Sequence, residues 1–223
     1  MKIGIVGGTG GMGLGFALRW CVNHDIMIGS RDPAKAINSA LEYSENASKF
    51  YGSVKGKITG NDNLSVVKEA DVVILSIPYE NIDSTCSQLL PNLKNGSVVI
   101  SPIVPMKKTE AGFEFIPLIE KKPSATELVQ KYMKDKSKLV AAFHTISEKK
   151  LADPNLVLDS DIFVCGDDQN ALNVVSGLIK EIKSLRPVLL GPLSLSYLAE
   201  VTTTILLNAM IKNKMKNPGI KIT

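Results

Sequence analysis

The sequence has few of the residues that enzymes use for covalent or metal-assisted chemistry. Its 223 residues include two histidines and three cysteines, the latter being Cys21, Cys86 and Cys165. The cysteines lie far apart and have no paired spacing, so neither a disulfide framework nor a zinc site is indicated. We expect all three to be buried as small apolar side chains.

Aromatic residues are also scarce, at 5%, and lysines are scattered over a chain whose formal net charge is +4. Nucleic-acid binding typically needs a basic face with interleaved aromatic residues, so we expect no nucleic-acid partner. No apolar run approaches the roughly 18 residues of a membrane span, and glycines 4, 7 and 8 interrupt the N-terminal apolar stretch. We therefore expect a cytoplasmic protein with no membrane partner.

The most informative motif lies in the first thirteen residues, where an apolar strand runs into Gly8-x-Gly10-x-x-Gly13 and then into a helix. In such a turn the first glycine permits the bend, the second lets the backbone approach phosphates, and the third allows close packing of helix and strand. Helix N–H groups then meet the phosphate. The motif predicts a dinucleotide site, and a glycine-rich connection without a ligand is the alternative.

Strand-like and helical segments alternate along the chain. Residues 71–78 form a continuous apolar run that is typical of a parallel strand buried on both faces, and Asp32-Pro33 indicates a helix start. Further strands are expected at 26–29, 97–101, 138–144, 161–165 and 186–190. This pattern predicts an α/β fold, with a Rossmann-type doubly wound parallel sheet.

Two parts of the chain are expected to share that sheet. Residues 1–144 are interpreted as the dinucleotide-binding domain, and residues 145–223 as a smaller C-terminal α/β part packed on it. The last helix, at about 194–210, is apolar on most sides. This favours burial against another subunit, in a homodimer or homotetramer, with an intramolecular core as the alternative.

The end of the second strand indicates which dinucleotide binds. NAD sites usually have an acidic residue there for the ribose 2′-hydroxyl, whereas NADP sites have hydroxyls and cations for the 2′-phosphate. Ser30 and Arg31 occupy this position, Lys35 follows one helical turn later, and Thr9 in the glycine turn adds a hydroxyl. Asp32 is explained as the helix N-cap. The four donors favour NADP, although Arg31 and Lys35 could also be ordinary surface cations.

Candidate acid and base groups are few. His24 follows the first helix, at the wrong end of a parallel sheet, and is expected on the surface. His144 closes a strand at the carboxyl end, where ligands of open α/β sheets bind. It either lines the site or is a hydrogen-bonded core histidine. Asp167 and Asp168 are typical of a helix cap and a helix-dipole partner.

A redox protein with so few proton-transfer residues could exchange a hydride directly between two bound cofactors.

The whole chain resembles the coenzyme F420-dependent NADP oxidoreductases of archaea and some bacteria. The segments that carry the likeness are 7–13 (GGTGGMG), 29–31 (GSR), 76–79 (SIPY), 101–105 (SPIVP), 143–146 (FHTI), 164–168 (VCGDD) and 191–194 (GPLS). The later segments, in this order and spacing, are the more specific ones.

The resemblance implies hydride exchange between C4 of the nicotinamide and C5 of the deazaflavin, without a covalent intermediate, in a cleft between the two parts of the chain. It implies that the 2′-phosphate is held by Thr9, Ser30, Arg31 and Lys35, and the pyrophosphate by Gly10, Gly11 and Met12. It implies that the adenosine and nicotinamide ribose path is lined by Ser76, Ile77, Pro78, Tyr79 and Ile82. The rings would be bordered by Val104, His144 and Ile146, with His144 hydrogen-bonding the deazaflavin.

The chain departs from the family pattern at four positions. Gly11 stands where asparagine is frequent, and Asp32 where a second arginine is common, which should weaken 2′-phosphate binding. Leu195 and Tyr197 replace more polar residues near the expected deazaflavin tail. Two other functions remain open at this point: an NADP-dependent reductase of a small imine or keto acid, similar to pyrroline-5-carboxylate reductase, and a non-catalytic NADP-sensing module.

Overall fold

The computed structural model describes residues 1–223, which form an eight-stranded sheet, a separate two-stranded hairpin and nine α-helices. The strands are β1 (Lys2–Val6), β2 (Asp25–Ser30), β3 (Ile58–Asp62), β4 (Val72–Leu75), β5 (Val98–Ser101), β6 (Met106–Lys108), β7 (Phe113–Phe115), β8 (Leu139–Ala141), β9 (Ser160–Gly166) and β10 (Leu185–Gly191). The helices are α1 (Gly11–Trp20), α2 (Pro33–Tyr51), α3 (Asn63–Glu69), α4 (Ile82–Leu89), α5 (Ile116–Glu120), α6 (Ala125–Gln130), α7 (Glu148–Leu151), α8 (Gln169–Glu181) and α9 (Ser196–Lys212).

The sheet has the strand order β10-β9-β8-β5-β4-β1-β2-β3. From β1 the chain moves outward through β2 to β3, then returns to the other side of β1 for β4 and β5. The order therefore reverses between β1 and β4, and the glycine turn follows β1 at that point. Ligands of open α/β sheets bind in the crevice outside such a reversal. The expected α/β fold is confirmed.

One part of the sheet is not parallel, contrary to the prediction. Strand β9 runs antiparallel to β8, with Val140 opposite Gly166 and Ala141 opposite Cys165. All other neighbouring pairs in the large sheet are parallel. The start of β9 thus lies at the edge where β1, β4 and β5 end. The C-terminal part does add strands to the same sheet, as expected, while the division at residue 144 stays a prediction.

Side chains alternate between two buried layers, one on each face of the sheet. Ile3 and Ile5 pack in the layer that contains α1, α2 and α8, whereas Val73 and Leu75 pack in the layer with α3, α4 and α6. The three cysteines are buried and unpaired, which confirms their expected role as core residues. A sheet covered on both faces leaves its strand ends as the accessible place for a ligand.

The strand predicted at 138–144 is shorter in the structure. Strand β8 ends at Ala141, and Phe143 then adopts a left-handed backbone conformation with φ of 70°. This conformation is strained for a bulky residue. The Phe143 ring packs edge-on against Phe16 and Trp20 in the core. The chain therefore leaves the sheet two residues before His144.

His24 is buried, so its predicted surface position is wrong. The residue is 8% exposed, and its Nε2 lies 2.9 Å from Glu181 Oε2 at the end of α8. Helix α8 covers this end of α1, and this long-range packing explains why a histidine in a turn becomes buried. His24 is nevertheless far from the strand ends where β1, β4 and β5 terminate, because it precedes β2.

The segment Leu193–Lys212, which includes α9, is long and apolar enough to cross a membrane by length and composition alone, with a mean hydropathy of 1.2. Two of its polar side chains are used inside the fold. Glu200 is fully buried and binds the start of α6, and Asn208 exchanges two hydrogen bonds with the backbone of Phe113 in β7. These contacts attach α9 to the rest of the chain.

Candidate functional site

The glycine turn is shaped by close backbone contacts that leave no room for side chains. Gly7 has a φ of 69°, and a Cβ there would lie 2.6 Å from the carbonyl oxygen of Ser76. A Cβ on Gly13 would overlap Gly8, at 2.6 Å from its Cα. The turn consequently brings the backbone of β1, β4 and α1 together, as a phosphate-binding turn requires.

Two side chains from distant elements hold the turn in place. The Tyr43 hydroxyl on α2 lies 3.2 Å from the carbonyl oxygens of both Gly8 and Gly10 and can donate to either. Asn63, at the start of α3, accepts a hydrogen bond from the Gly7 amide at 3.2 Å. Burial raises the pKa of Tyr43 to about 12, so its hydroxyl keeps the proton that it donates. The sequence pattern had not singled out either residue.

A cleft of about 730 Å³ opens beside this turn. From the predicted site residues it brings together Thr9, Ser30, Arg31, Lys35, Ser76, Ile77 and Pro78. Its wall also includes polar side chains that the sequence analysis did not identify, namely Asp62, Asn63, Asn81, Ser84, Thr85 and Gln88. The volume is in the range of small-molecule and cofactor sites.

The end of the cleft near β2 carries two basic side chains. Arg31 and Lys35 are exposed there, and neither forms an ion pair. The two nearby carboxylates are occupied by backbone amides: Asp32 accepts from Ala34 at 2.9 Å, and Asp62 accepts from Ser65 at 2.8 Å. Asp32 is thus the helix N-cap that the sequence predicted, and two cations remain free to bind an anion.

The other predicted residues lie around or beneath the cleft. Gly8 and Gly13 are buried within the turn, whereas Gly10, Gly11 and Met12 are accessible at the start of α1. Tyr79 is partly exposed in a short 3-10 helix, and Val104 is partly exposed after β5. Ile82 is only 2% exposed and packs in the core, so it can support the wall of the cleft but presents little surface to it.

His144 is buried near the carboxyl ends of β5 and β8. Both of its ring nitrogens lack a hydrogen-bond partner, and so does the hydroxyl oxygen of buried Ser101 at the end of β5. Burial lowers the pKa of His144 to about 3, so the imidazole is neutral at physiological pH. Because buried polar groups without partners are rare in folded proteins, these nitrogens are unusual, and the choice between lining the site and a core role stays a prediction.

Helix α9 is hydrogen-bonded to α6 and to the His144 segment, which is the stretch 142–146 after β8. The Thr203 hydroxyl donates to the carbonyl oxygen of His144 at 2.6 Å. One turn earlier, Glu200 accepts from the Ala125 and Thr126 amides at 3.0 Å and from the Thr126 hydroxyl at 2.7 Å. Burial raises the pKa of Glu200 to about 7 despite these hydrogen bonds. Ile146, which follows His144, is partly exposed.

No group of three or more histidine, cysteine, aspartate or glutamate side chains is arranged to hold a metal ion. Asp168 caps α8 by accepting from the Ala171 amide at 2.7 Å, and Asp167 accepts from the Leu193 amide at 3.0 Å. These two acids therefore have structural roles, as expected for Asp168. The candidate site therefore combines a glycine turn with a cleft that contains Arg31 and Lys35, and the place of His144 in it stays a prediction.

The fold and the cleft define a dinucleotide-binding α/β protein, and comparisons with known proteins narrow this class. A family model described as NADP oxidoreductase, coenzyme F420-dependent, matches residues 2–105. The chain is 40% identical over 223 residues to the F420-dependent NADP reductase of Methanocaldococcus jannaschii, covering 100% of this chain and 98% of that protein. It is 34% identical over 227 residues to the F420-dependent NADP reductase of Methanothermobacter marburgensis, with the same coverage. The chain belongs to the family of coenzyme F420-dependent NADP oxidoreductases.

Solved structures agree with this fold. A candidate F420-dependent NADP-reductase from Arthrobacter sp. fb24 superimposes with a TM-score of 0.77 at 20% identity, covering 100% of this chain and 99% of that one. The 3-hydroxyacyl-CoA dehydrogenase of Archaeoglobus fulgidus gives a TM-score of 0.57 at 15% identity, covering 97% of this chain and 65% of that one. At these identities the likeness shows the fold alone.

Proposed function

We propose that this protein transfers a hydride directly between NADP(H) and the deazaflavin coenzyme F420. Relatives with the same activity in their names match the chain over its full length. The cleft beside the glycine turn has the size and polarity that a dinucleotide needs. When both coenzymes are bound, the hydride passes between C4 of the nicotinamide and C5 of the deazaflavin, and a proton is exchanged with solvent.

The observation that carries the choice of NADP is the pair of free cations at the end of β2. Arg31 and Lys35 line the cleft without carboxylate partners, and Ser30 and Thr9 add hydroxyl groups. A 2′-phosphate bound there would receive charge-assisted hydrogen bonds, which are stronger than those between neutral groups. The residues present fit the phosphate, and the amides of Gly10, Gly11 and Met12 fit the pyrophosphate in the same way.

We assign His144 the role of a neutral hydrogen-bonding group for the deazaflavin. Its two unpartnered nitrogens can offer one donor and one acceptor, and its pKa of about 3 makes it a poor proton donor at neutral pH. Val104 and Ile146 supply apolar surface at the same edge of the sheet. The contribution of the chain is then to orient the two rings and exclude water, rather than to form a covalent bond.

A spectroscopic assay tests the proposed function. NADPH mixed with oxidised coenzyme F420 and the protein should abolish the absorbance of the oxidised deazaflavin, and NADH should do so much more slowly. No loss of absorbance with active reagents would contradict the proposal. Turnover of a cyclic imine without deazaflavin would favour the imine reductase alternative, and binding of NADPH without any hydride transfer would favour a sensing module.

We further propose a cytoplasmic homodimer or homotetramer. The apolar helix α9 exposes Leu198 and Ile205, seven residues apart and therefore on one face. A second subunit would cover this face. Because Glu200 and Asn208 of the same helix bind α6 and β7, α9 is better suited to packing within a soluble protein than to crossing a membrane.

A further inference from the structure

A carboxylate lies over the first residue of the pyrophosphate-binding helix. The side chain of Glu148, at the start of α7, covers the Cα of Gly11: a Cβ added to Gly11 would overlap the Glu148 carboxylate oxygen and would lie 2.7 Å from its Cδ and 2.9 Å from its Cγ. Glycine at position 11 is what allows this close approach. Glu148 is itself exposed and forms no ion pair with a lysine or arginine.

The first turn of α1 provides no negative group of its own. Gly10 is the N-cap and has no side chain, so no cap hydrogen bond is made, and the first turn of the helix contains no acidic residue. The first amides of a helix have no acceptor within it and carry a partial positive charge. The Glu148 carboxylate therefore places a negative charge close to the amides that are expected to bind the pyrophosphate, without a hydrogen bond to any of them.

The segment that follows Glu148 is held against α1. The guanidinium of Arg19, on the same helix, lies within hydrogen-bond distance of five backbone carbonyl oxygens just after Glu148, at 2.7–3.4 Å: those of Lys150, Leu151, Asp153, Pro154 and Leu156. Arg19 is 8% exposed. Rotation of the Glu148 side chain can therefore move the carboxylate away from the start of α1 while this segment stays in place.

We propose that Glu148 sets the affinity for NADP(H) by acting as an internal counter-ion at the start of α1, which the diphosphate of the cofactor displaces. The inference rests on the proposed function, since it requires a dinucleotide in the cleft. Two negative groups would then lie at the start of one helix. Binding has to overcome their repulsion or move the Glu148 side chain away, and either cost promotes cofactor release.

The experiment compares wild type, Glu148→Gln and Glu148→Ala, with Glu45→Gln as a matched control at an exposed glutamate on α2. Binding of NADP+ to the deazaflavin-free protein is measured by calorimetry at low and high salt. Removal of the charge should tighten NADP+ binding by about five- to tenfold at low salt in both Glu148 variants, and the gain should shrink at high salt. Glu45→Gln should change neither value.

A second readout separates a counter-ion from other roles. Without cofactor, both Glu148 variants should melt about 1–3 °C lower than wild type, because a stabilising charge at a helix N-terminus is lost. With saturating NADP+ this deficit should disappear. The variants should therefore combine a less stable free protein with tighter binding of NADP+. A residue with a purely structural role is not expected to give these two effects together.

Three results would overturn the inference. Weaker binding in the variants would mean that Glu148 contacts the dinucleotide directly, for example at a ribose hydroxyl. Unchanged binding would mean that its charge is not felt at the site. If wild type itself fails to bind NADP+, the inference and the proposed function fall together. If wild type binds NADP+ and turns over normally, and the Glu148 variants bind NADP+ as wild type does, only the inference falls.

Discussion

Arg31 is the residue on which cofactor preference is expected to depend most strongly. Its replacement by alanine should raise the KM for NADPH by about 10- to 100-fold, because a charge-assisted hydrogen bond to the 2′-phosphate is lost. The KM for NADH should stay the same. Steady-state kinetics with both nucleotides measures the effect, with Lys49→Ala on the far end of α2 as the control. An equal rise for NADH would refute a role in phosphate binding.

Glu200 should give the protein a pH-dependent stability. Its pKa of about 7 lies above the ordinary value of 4.5, so the folded protein holds the proton more tightly than the unfolded chain. The resulting contribution is complete below about pH 4.5 and is lost as the pH rises to 7.

The replacement Glu200→Gln, which cannot titrate, tests this. The free energy of unfolding of wild type, relative to Glu200→Gln, should fall by on the order of 3 kcal/mol between pH 4.5 and 7. Urea titrations at several pH values measure it, and Glu42→Gln on the exposed side of α2 should run parallel to wild type. Parallel profiles for Glu200→Gln would show that the carboxyl does not titrate in this range.

At the residue scale, the sequence predicted the groups that lie close to a recognisable motif. Ser30, Arg31 and Lys35 follow from their position at the end of the second strand. Tyr43 and Asn63 could not be predicted, because they reach the glycine turn from helices 33 and 56 residues away. Contacts of this kind depend on how helices pack on the sheet, and a single sequence carries no direct signal of it.

At the scale of elements, the long and strongly patterned segments were predicted well, and the short ones were not. Helices α2 and α8 begin at the expected Asp32 and Asp168 caps. The hairpin of β6 and β7 was missed because each strand has three residues and its partner contacts come from α9. Such elements are stabilised by tertiary packing rather than by local propensity.

Arg19 joins α1 to α7 and to the segment that follows it. The replacement Arg19→Met should lower the free energy of unfolding by about 2–4 kcal/mol, because several buried carbonyl groups lose their donor. Urea unfolding measures this loss. Arg19→Lys should recover part of it, since an ammonium can reach some of the five carbonyls. A loss below about 0.5 kcal/mol would show that water replaces the guanidinium.

At the scale of the whole molecule, the α/β class and the doubly wound order were predicted, and the antiparallel direction of β9 was not. The alternating pattern indicates how many strands there are, but direction depends on the path of the connection. A loop was expected between the strands at 138–144 and 161–165, and the path of this connection brings the start of β9 to the same edge as the end of β8. The tail then pairs with β9, where the Asp161 amide donates to Ile220 O at 2.7 Å.

The proposed assembly can be tested in solution. Light scattering should give a mass that is a multiple of 24.1 kDa, and Ile205→Glu should lower it, because Ile205 is 58% exposed on the apolar face of α9. Ile37→Glu, at an isoleucine on α2 that is 49% exposed, is the matched control and should leave the mass unchanged. A wild-type mass of 24.1 kDa would contradict the oligomer.

The core beneath the site contains a natural optical probe. Trp20 is the only tryptophan, it stacks on Phe16 at 4.7 Å between ring centroids, and its indole N–H donates to Leu178 O at 3.0 Å. Its edge contact with Phe143 joins it to the residue before His144. All indole fluorescence of the chain therefore comes from the junction of α1, α8 and the His144 segment. Any coenzyme that moves α1 against that segment should alter the emission, so binding can be followed without a label.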